Sequence, residues 1–163
     1  MTVSRVRAIK VPPYSVHSEK VVLGSMIAEP ALIESIRRII PSGESFFRPE
    51  HGRIFDAVVQ MHQRHKPSTT KDLLDALEAH GVVEQLGGES LLRELARENA
   101  DPAAATDQAQ LVANKAKMRW FIDAISDSLH DAYYSHDDYD AVLERTRCRL
   151  NELDSGDDSS LTL

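Results

Sequence analysis

From Met118 onward, apolar residues recur at intervals of 4, 3, 4 and 3: Met118, Ile122, Ile125, Leu129 and Ala132. A polar break, Ser135-His136-Asp137-Asp138, follows, and Tyr139, Leu143, Thr146, Leu150 and Leu153 then repeat the same intervals. Such a spacing keeps one stripe on one side of an α-helix, and a strand, with its period of two, cannot present it. Two helices of this kind joined by a short turn predict an antiparallel αα-hairpin whose stripes interlock as knobs into holes. The Ala-rich residues 103–117 extend the first arm. A two-helix hairpin has too little core to stand alone. It must therefore pack on its own chain or on other subunits. Trp120, Phe121, Tyr133 and Tyr134 supply the large side chains that interfaces favour. Together with Ile125, Leu129, Tyr139, Leu143 and Leu150 they make the hairpin the candidate surface for oligomerisation and partner docking; the alternative is a hairpin folded back onto the preceding helices.

The residues before the hairpin also read as helices. Pro12-Pro13 imposes an extended approach, Ser15 is a good N-cap, and Val16, Val22, Leu23, Met26 and Ile27 follow at helical spacing. Pro30 opens a second helix with Leu32, Ile33, Ile36, Ile39 and Ile40, which Pro41-Ser-Gly breaks. Phe46-Phe47 anchors a turn, and Pro49 starts a third helix with Ile54, Phe55, Val58, Val59, Met61 and His62 inward, ended by Lys66-Pro67. Ser68, Thr69 and Thr70 are alternative caps for a fourth helix carrying Leu73, Leu74 and Leu77, with Gly81 its natural terminator. Val82, Val83 and Leu86 fill a connector, Gly87-Gly88 turns, and Leu91, Leu92 and Leu95 mark a short fifth helix. No alternating run of strand length occurs. The expected fold is all-α, a compact helical globule followed by a long antiparallel αα-hairpin.

Chemistry-bearing motifs are scarce. There is no Gly-x-x-x-x-Gly-Lys phosphate loop and no Gly-x-Gly-x-x-Gly. Cys148 lies between Arg147 and Arg149 without a base nearby in sequence, and reads as a passive thiol. His62 and His65 stand three apart, with His51 and His80 flanking them, and such a pair shares a helix face that can hold zinc. No paired cysteines or His-Glu-x-x-His complete a ligand set, so the expectation is no metal, no cofactor and no catalytic residue. The chain of 163 residues carries 19 basic and 26 acidic side chains, a net charge of −7, which argues against a phosphate-gripping surface. A single cysteine fits a reducing, cytoplasmic compartment. No apolar run reaches signal-peptide or membrane-span length.

Specific residues carry a family resemblance. The run Val11-Pro-Pro-Tyr-Ser-Val-His-Ser-Glu-Lys-Val-Val-Leu-Gly24 resembles the Pro-Pro-x-Ser-x-x-x-Glu-x-x-Val-Leu-Gly signature that opens the N-terminal domain of DnaB-type replicative helicases. Phe46-Phe47-x-Pro-Glu-His51-x-x-Ile-Phe55, Leu77-x-x-x-Gly81, Gly87-Gly88 with Leu91-Leu92, and Lys117-Met-Arg119 follow in the family's order. The resemblance spans residues 11–153. It departs at His17, where the family often has an acidic residue, and at Thr69, where it usually has Asp.

The resemblance implies a non-catalytic collar on a hexameric helicase ring, supporting hexamer assembly and docking primase and a helicase loader during DNA replication. ATP and Mg belong to a C-terminal motor domain that this chain lacks, so the chain is expected to be an excised collar domain. The competing reading is a stand-alone adaptor or inhibitor that mimics the collar. Partners are expected to be other copies of itself (dimer or trimer through the hairpin), primase and loader, with weak or no direct nucleic-acid binding and no membrane. Pro12, Pro13, Glu19, Leu23 and Gly24 are implied to shape the first helix, and Phe47, His51 and Phe55 to fill the core beneath it, with His51 hydrogen-bonded. Gly87 and Gly88 are implied to turn the chain. Arg119 is implied either to pair within the hairpin or to reach another subunit. The expected organisation is a flexible basic arm at 1–11 (Arg5, Arg7, Lys10), a globule at 12–102, the hairpin at 103–153 and an acidic linker-like tail at 154–163.

Overall fold

Ser15 is extended (φ −150°, ψ 92°) and its hydroxyl accepts the Ser18 N–H, which starts helix α1, Val16–Ala28. The computed structural model describes residues 11–67, 69–81 and 83–158, with side chains described to Leu153. The basic arm with Arg5, Arg7 and Lys10, the candidate cap Ser68, and Val82 lie outside the described residues. Pro30 opens a 3-10 turn that leads into α2, Ile33–Ile39. A second such turn, Gly43–Ser45, precedes α3, Pro49–His65, with proline at its first position. Thr69 then caps α4, Thr70–Ala79, through a full capping box: its hydroxyl accepts the Asp72 N–H and the Asp72 carboxylate accepts the Thr69 N–H, each at 3.1 Å. Gly87 and Gly88 both take positive φ (100° and 86°) between the turn Glu84–Leu86 and α5, Glu89–Arg97. Asp101 caps α6, Pro102–Tyr134, and α7 is Tyr139–Asp158. The fold is all-α, and among the described residues there is no strand.

Helix α1 lies at the centre. Every residue from Val21 to Ile27 is buried, so this helix has no solvated face, as expected of one enclosed on all sides. It packs against α5, α6 and α3. Around it gather Ile33 and Ile36 of α2, Ile54, Phe55, Val58 and Met61 of α3, Leu73 and Leu77 of α4, and Leu92 and Leu95 of α5. The first half of α6 closes this core with small residues, Ala105, Ala109, Val112, Ala113 and Ala116, which let its backbone approach closely. Gly24 is the tightest point: a Cβ there would meet the carbonyl of Leu95 and the backbone of Glu98 and Asn99. Ser25, beside it, donates to the Val21 carbonyl at 2.7 Å and accepts the Ala100 N–H at 3.1 Å, fastening α1 to the start of the hairpin.

The hairpin forms, but not with the expected seam. Among the α6 side chains that engage α7 are Ser128, which is buried, and Asp131. Asp131 accepts from Arg149 at 2.8 Å and from Arg145 at 3.4 Å, and Arg149 also donates to Ser128 Oγ at 3.3 Å. Arg145 reaches Asp137 in the turn at 2.8 Å as well. Because Asp131 turns inward to meet two arginines, the apolar row Met118, Ile122, Ile125 and Leu129 turns outward and stays exposed. Each apolar residue Ile125 and Leu129 follows its inward neighbour by one position, about 100° around the helix. On α7, Leu143, Thr146, Leu150 and Leu153 are half-buried and Tyr139 is exposed. Helix α7 continues to Asp158, into the stretch expected to be a linker-like tail.

The hydrogen bond from Arg149, reinforced by Arg145, holds the Asp131 carboxyl below the usual aspartate range. A depressed carboxyl stabilises the hairpin fully above its unfolded value, about 3.9, and that contribution is lost as pH falls through the lower folded value. In an NMR titration the Asp131 carboxyl carbon should therefore have a midpoint below the ordinary aspartate value. A midpoint at or above it would mean that the polar seam does not form.

Candidate functional site

Glu19 sits in the first turn of α1 with only 2% of its surface exposed. A buried carboxylate must be satisfied by donors. Its Oε1 accepts the Phe47 N–H at 2.6 Å; its Oε2 accepts the His51 Nδ1–H at 2.8 Å and the Arg48 N–H at 3.4 Å. One side chain thus fastens the segment before α3, and the start of α3 itself, onto α1. His51 is buried and hydrogen-bonded, as the resemblance implied.

Arg119 completes this junction from α6. It donates to the Pro13 carbonyl at 2.8 Å and to the Ser45 carbonyl at 2.7 Å, and its guanidinium carbon lies 5.9 Å from the centre of the Phe47 ring. Burial pushes its pKa down, opposed by the charges of Glu19 and Asp123. Both hydrogen bonds go to its own globule, so Arg119 clasps the hairpin to the approach that Pro12-Pro13 imposes. Phe47 is half-buried, stacked on Tyr14 at 4.5 Å. This corrects the expectation that Phe47 fills the core: Phe46 does so, with its ring 5.1 Å from Phe55. Leu23 and Phe55 are fully enclosed as expected. Two further contacts escaped the sequence reading. Gly43 and Gly52 meet backbone to backbone, and the Asp56 carboxylate accepts the Gly43 N–H at 2.7 Å. No periodic signal marks such a pair.

The motif residues therefore build a joint between α1, α3 and α6. Among the described residues no group of three or more His, Cys, Asp or Glu converges as metal ligands, and no helix is long and apolar enough to cross a membrane.

The second surface is the outer face of the hairpin. Met118, Ile122, Ile125 and Leu129 line one side of α6 over about 17 Å, and Leu129 is 54% exposed. Tyr133 and Tyr134, at the end of α6, and Tyr139, at the start of α7, are all exposed at the hairpin tip. His130 lies against Tyr134 with ring centres 4.8 Å apart. Trp120, Leu143 and Leu150 are half-buried and do not belong to this open face. The described residues thus form a helical globule clasped to a hairpin that carries an apolar outer stripe.

Known proteins place it further. The family model described as DnaB-like helicase N terminal domain matches residues 11–114. The chain belongs to this family. It is 31% identical over 147 residues to the replicative DNA helicase DnaB of Geobacillus stearothermophilus and 27% identical over 151 residues to that of Mycobacterium leprae. These alignments cover 88% and 86% of this chain but only 32% and 25% of the relatives, so the chain spans a third or less of their length. The fold matches the crystal structure of the N-terminal domain of DnaB helicase from Mycobacterium tuberculosis with a TM-score of 0.70, at 23% identity, covering 88% of this chain and 99% of that one.

Proposed function

We propose that this chain is the non-catalytic collar domain of a replicative DNA helicase, which joins subunits of the hexamer and docks primase and the helicase loader. The observation that carries the reading is the outer stripe of α6. Its intervals of 4, 3 and 4 are those of a coiled-coil seam, and the inner face of the same helix is already occupied by the Asp131 network. A stripe of this period fits the same stripe on a second copy, related by two-fold symmetry. The exposed tyrosines at the tip are the residue type that protein partners bury as anchors. In this reading ATP, Mg and strand translocation belong to a separate motor domain. The net charge of −7 accords with weak or no direct DNA binding. The work is cytoplasmic.

Sedimentation velocity up to hundreds of micromolar is expected to show concentration-dependent self-association. Leu129→Asp should weaken it by about 2 kcal/mol per substituted side chain, roughly 30-fold in Kd for each. The melting temperature should stay close to that of the parent, because more than half of Leu129 is exposed in the monomer. A strict monomer at every concentration, or association indifferent to Leu129→Asp, would remove the self-association half of the proposal.

A further inference from the structure

The histidine pair made by the fold is not the one adjacent in sequence. His65, the last residue of α3, and His80, which caps the C-terminus of α4, bring their Nε2 atoms to 3.3 Å. Their ring centres are 4.7 Å apart with the planes inclined at 55°. We propose that His65 and His80 form a two-imidazole site for a divalent transition cation of the zinc class.

Three features carry this assignment. First, the His80 Nδ1–H donates to the Ala76 carbonyl at 2.8 Å, which makes Nε2, turned toward His65, the nitrogen that carries the lone pair. Metal-binding imidazoles are held in the same way, with the far ring nitrogen fixed by a carbonyl or carboxylate. Second, 3.3 Å is long for a direct hydrogen bond between the two nitrogens, since N–H donors prefer about 2.9–3.0 Å. It is close to the edge of a tetrahedron around zinc, about 3.4 Å for zinc–nitrogen bonds of about 2.0–2.1 Å. Third, two helix C-termini end here, and the partial negative charge of each favours a cation within the last turn.

Both imidazoles are exposed, so water can fill the remaining coordination positions. No third side chain from the described residues completes a ligand set, which makes the site open rather than structural. The flanking Arg64 and Lys66 are exposed, and the high dielectric of the surrounding water weakens their repulsion. His62, the neighbour that helical spacing would choose, keeps its Nδ1 buried without a hydrogen-bond partner and does not join the pair in a three-ligand group.

The test is a calorimetric titration of the full 163-residue chain with zinc chloride, read in parallel by imidazole NMR. One equivalent of zinc is expected to bind, shifting the Nε2 signals of His65 and His80 together while the His80 Nδ1 proton persists. His65→Ala and His80→Ala should each weaken binding at least tenfold, with helical circular dichroism unchanged because both positions are exposed. His62→Ala should bind like the parent. The proposal is overturned by an absence of binding at millimolar zinc, by binding that survives both substitutions, or by loss of binding in His62→Ala.

Discussion

Glu19→Ala should destabilise the domain by about 3–5 kcal/mol, the usual consequence of removing one member of a buried charged network. The loss has identifiable parts. The Phe47 N–H, the Arg48 N–H and His51 Nδ1 all lose their acceptor at once. Arg119, whose own donors stay paired with Pro13 and Ser45, loses one of the two negative charges that oppose the effect of its burial. For a chain of this length each kcal/mol shifts the melting temperature by roughly 2–4 °C, so thermal unfolding should move down by roughly 6–20 °C. Glu19→Gln keeps the shape and one acceptor oxygen and should cost about half as much. A double-mutant cycle with His51→Ala should give a coupling energy above about 0.5 kcal/mol, because the two side chains share one hydrogen bond. An alanine variant that melts within a degree or two of the parent would show that the joint is not held by Glu19.

Gly24→Ala sets two principles against each other, and the sign of the result decides between them. Alanine is a better helix former than glycine by about 1 kcal/mol, and Gly24 lies in the middle of α1. Propensity alone therefore expects a more stable protein. The structure expects the reverse, because the new Cβ would land on the Leu95 carbonyl with the backbone of Glu98 and Asn99 behind it. Backbone cannot rotate away as a flexible side chain can, so α5 must move off α1. That displacement belongs at or above the upper end of the roughly 1–3 kcal/mol typical of overpacking. After the gain in propensity, urea denaturation should show a net loss of about 2 kcal/mol or more. An increase in stability would mean that α5 does not dock at Gly24.

Much of the helical framework is legible because its signals are local. Ser15, Thr69 and the prolines at 30, 49 and 102 act within one turn of where they stand, and the structure uses each of them at a helix start. The 4-3 spacing likewise revealed a hairpin, since periodicity reports which residues share a face. It does not report which face meets the partner helix. Ala124, Ser128 and Asp131 carry the same 4-3 spacing in small and polar residues, and that row turned inward. Choosing between the two rows required knowing that Arg145 and Arg149 of α7 would stand opposite Asp131. The Glu19 joint is a related case: the signature names Glu19, Phe47 and His51, yet nothing along the chain says that one carboxylate serves main-chain donors 28 and 29 positions away. The contacts of His65 with His80 and of Gly43 with Gly52 depend wholly on how helices cross, and leave no periodic trace.

The Arg119 clasp also fixes geometry at a distance. Fifteen residues of helix separate it from Tyr134, an arm of about 22 Å at 1.5 Å per residue. A pivot of about 10° at the clasp would swing the tip sideways by about 4 Å over that length. Where the tip tyrosines stand is therefore set in part by two carbonyl oxygens, those of Pro13 and Ser45, at the other end of the arm.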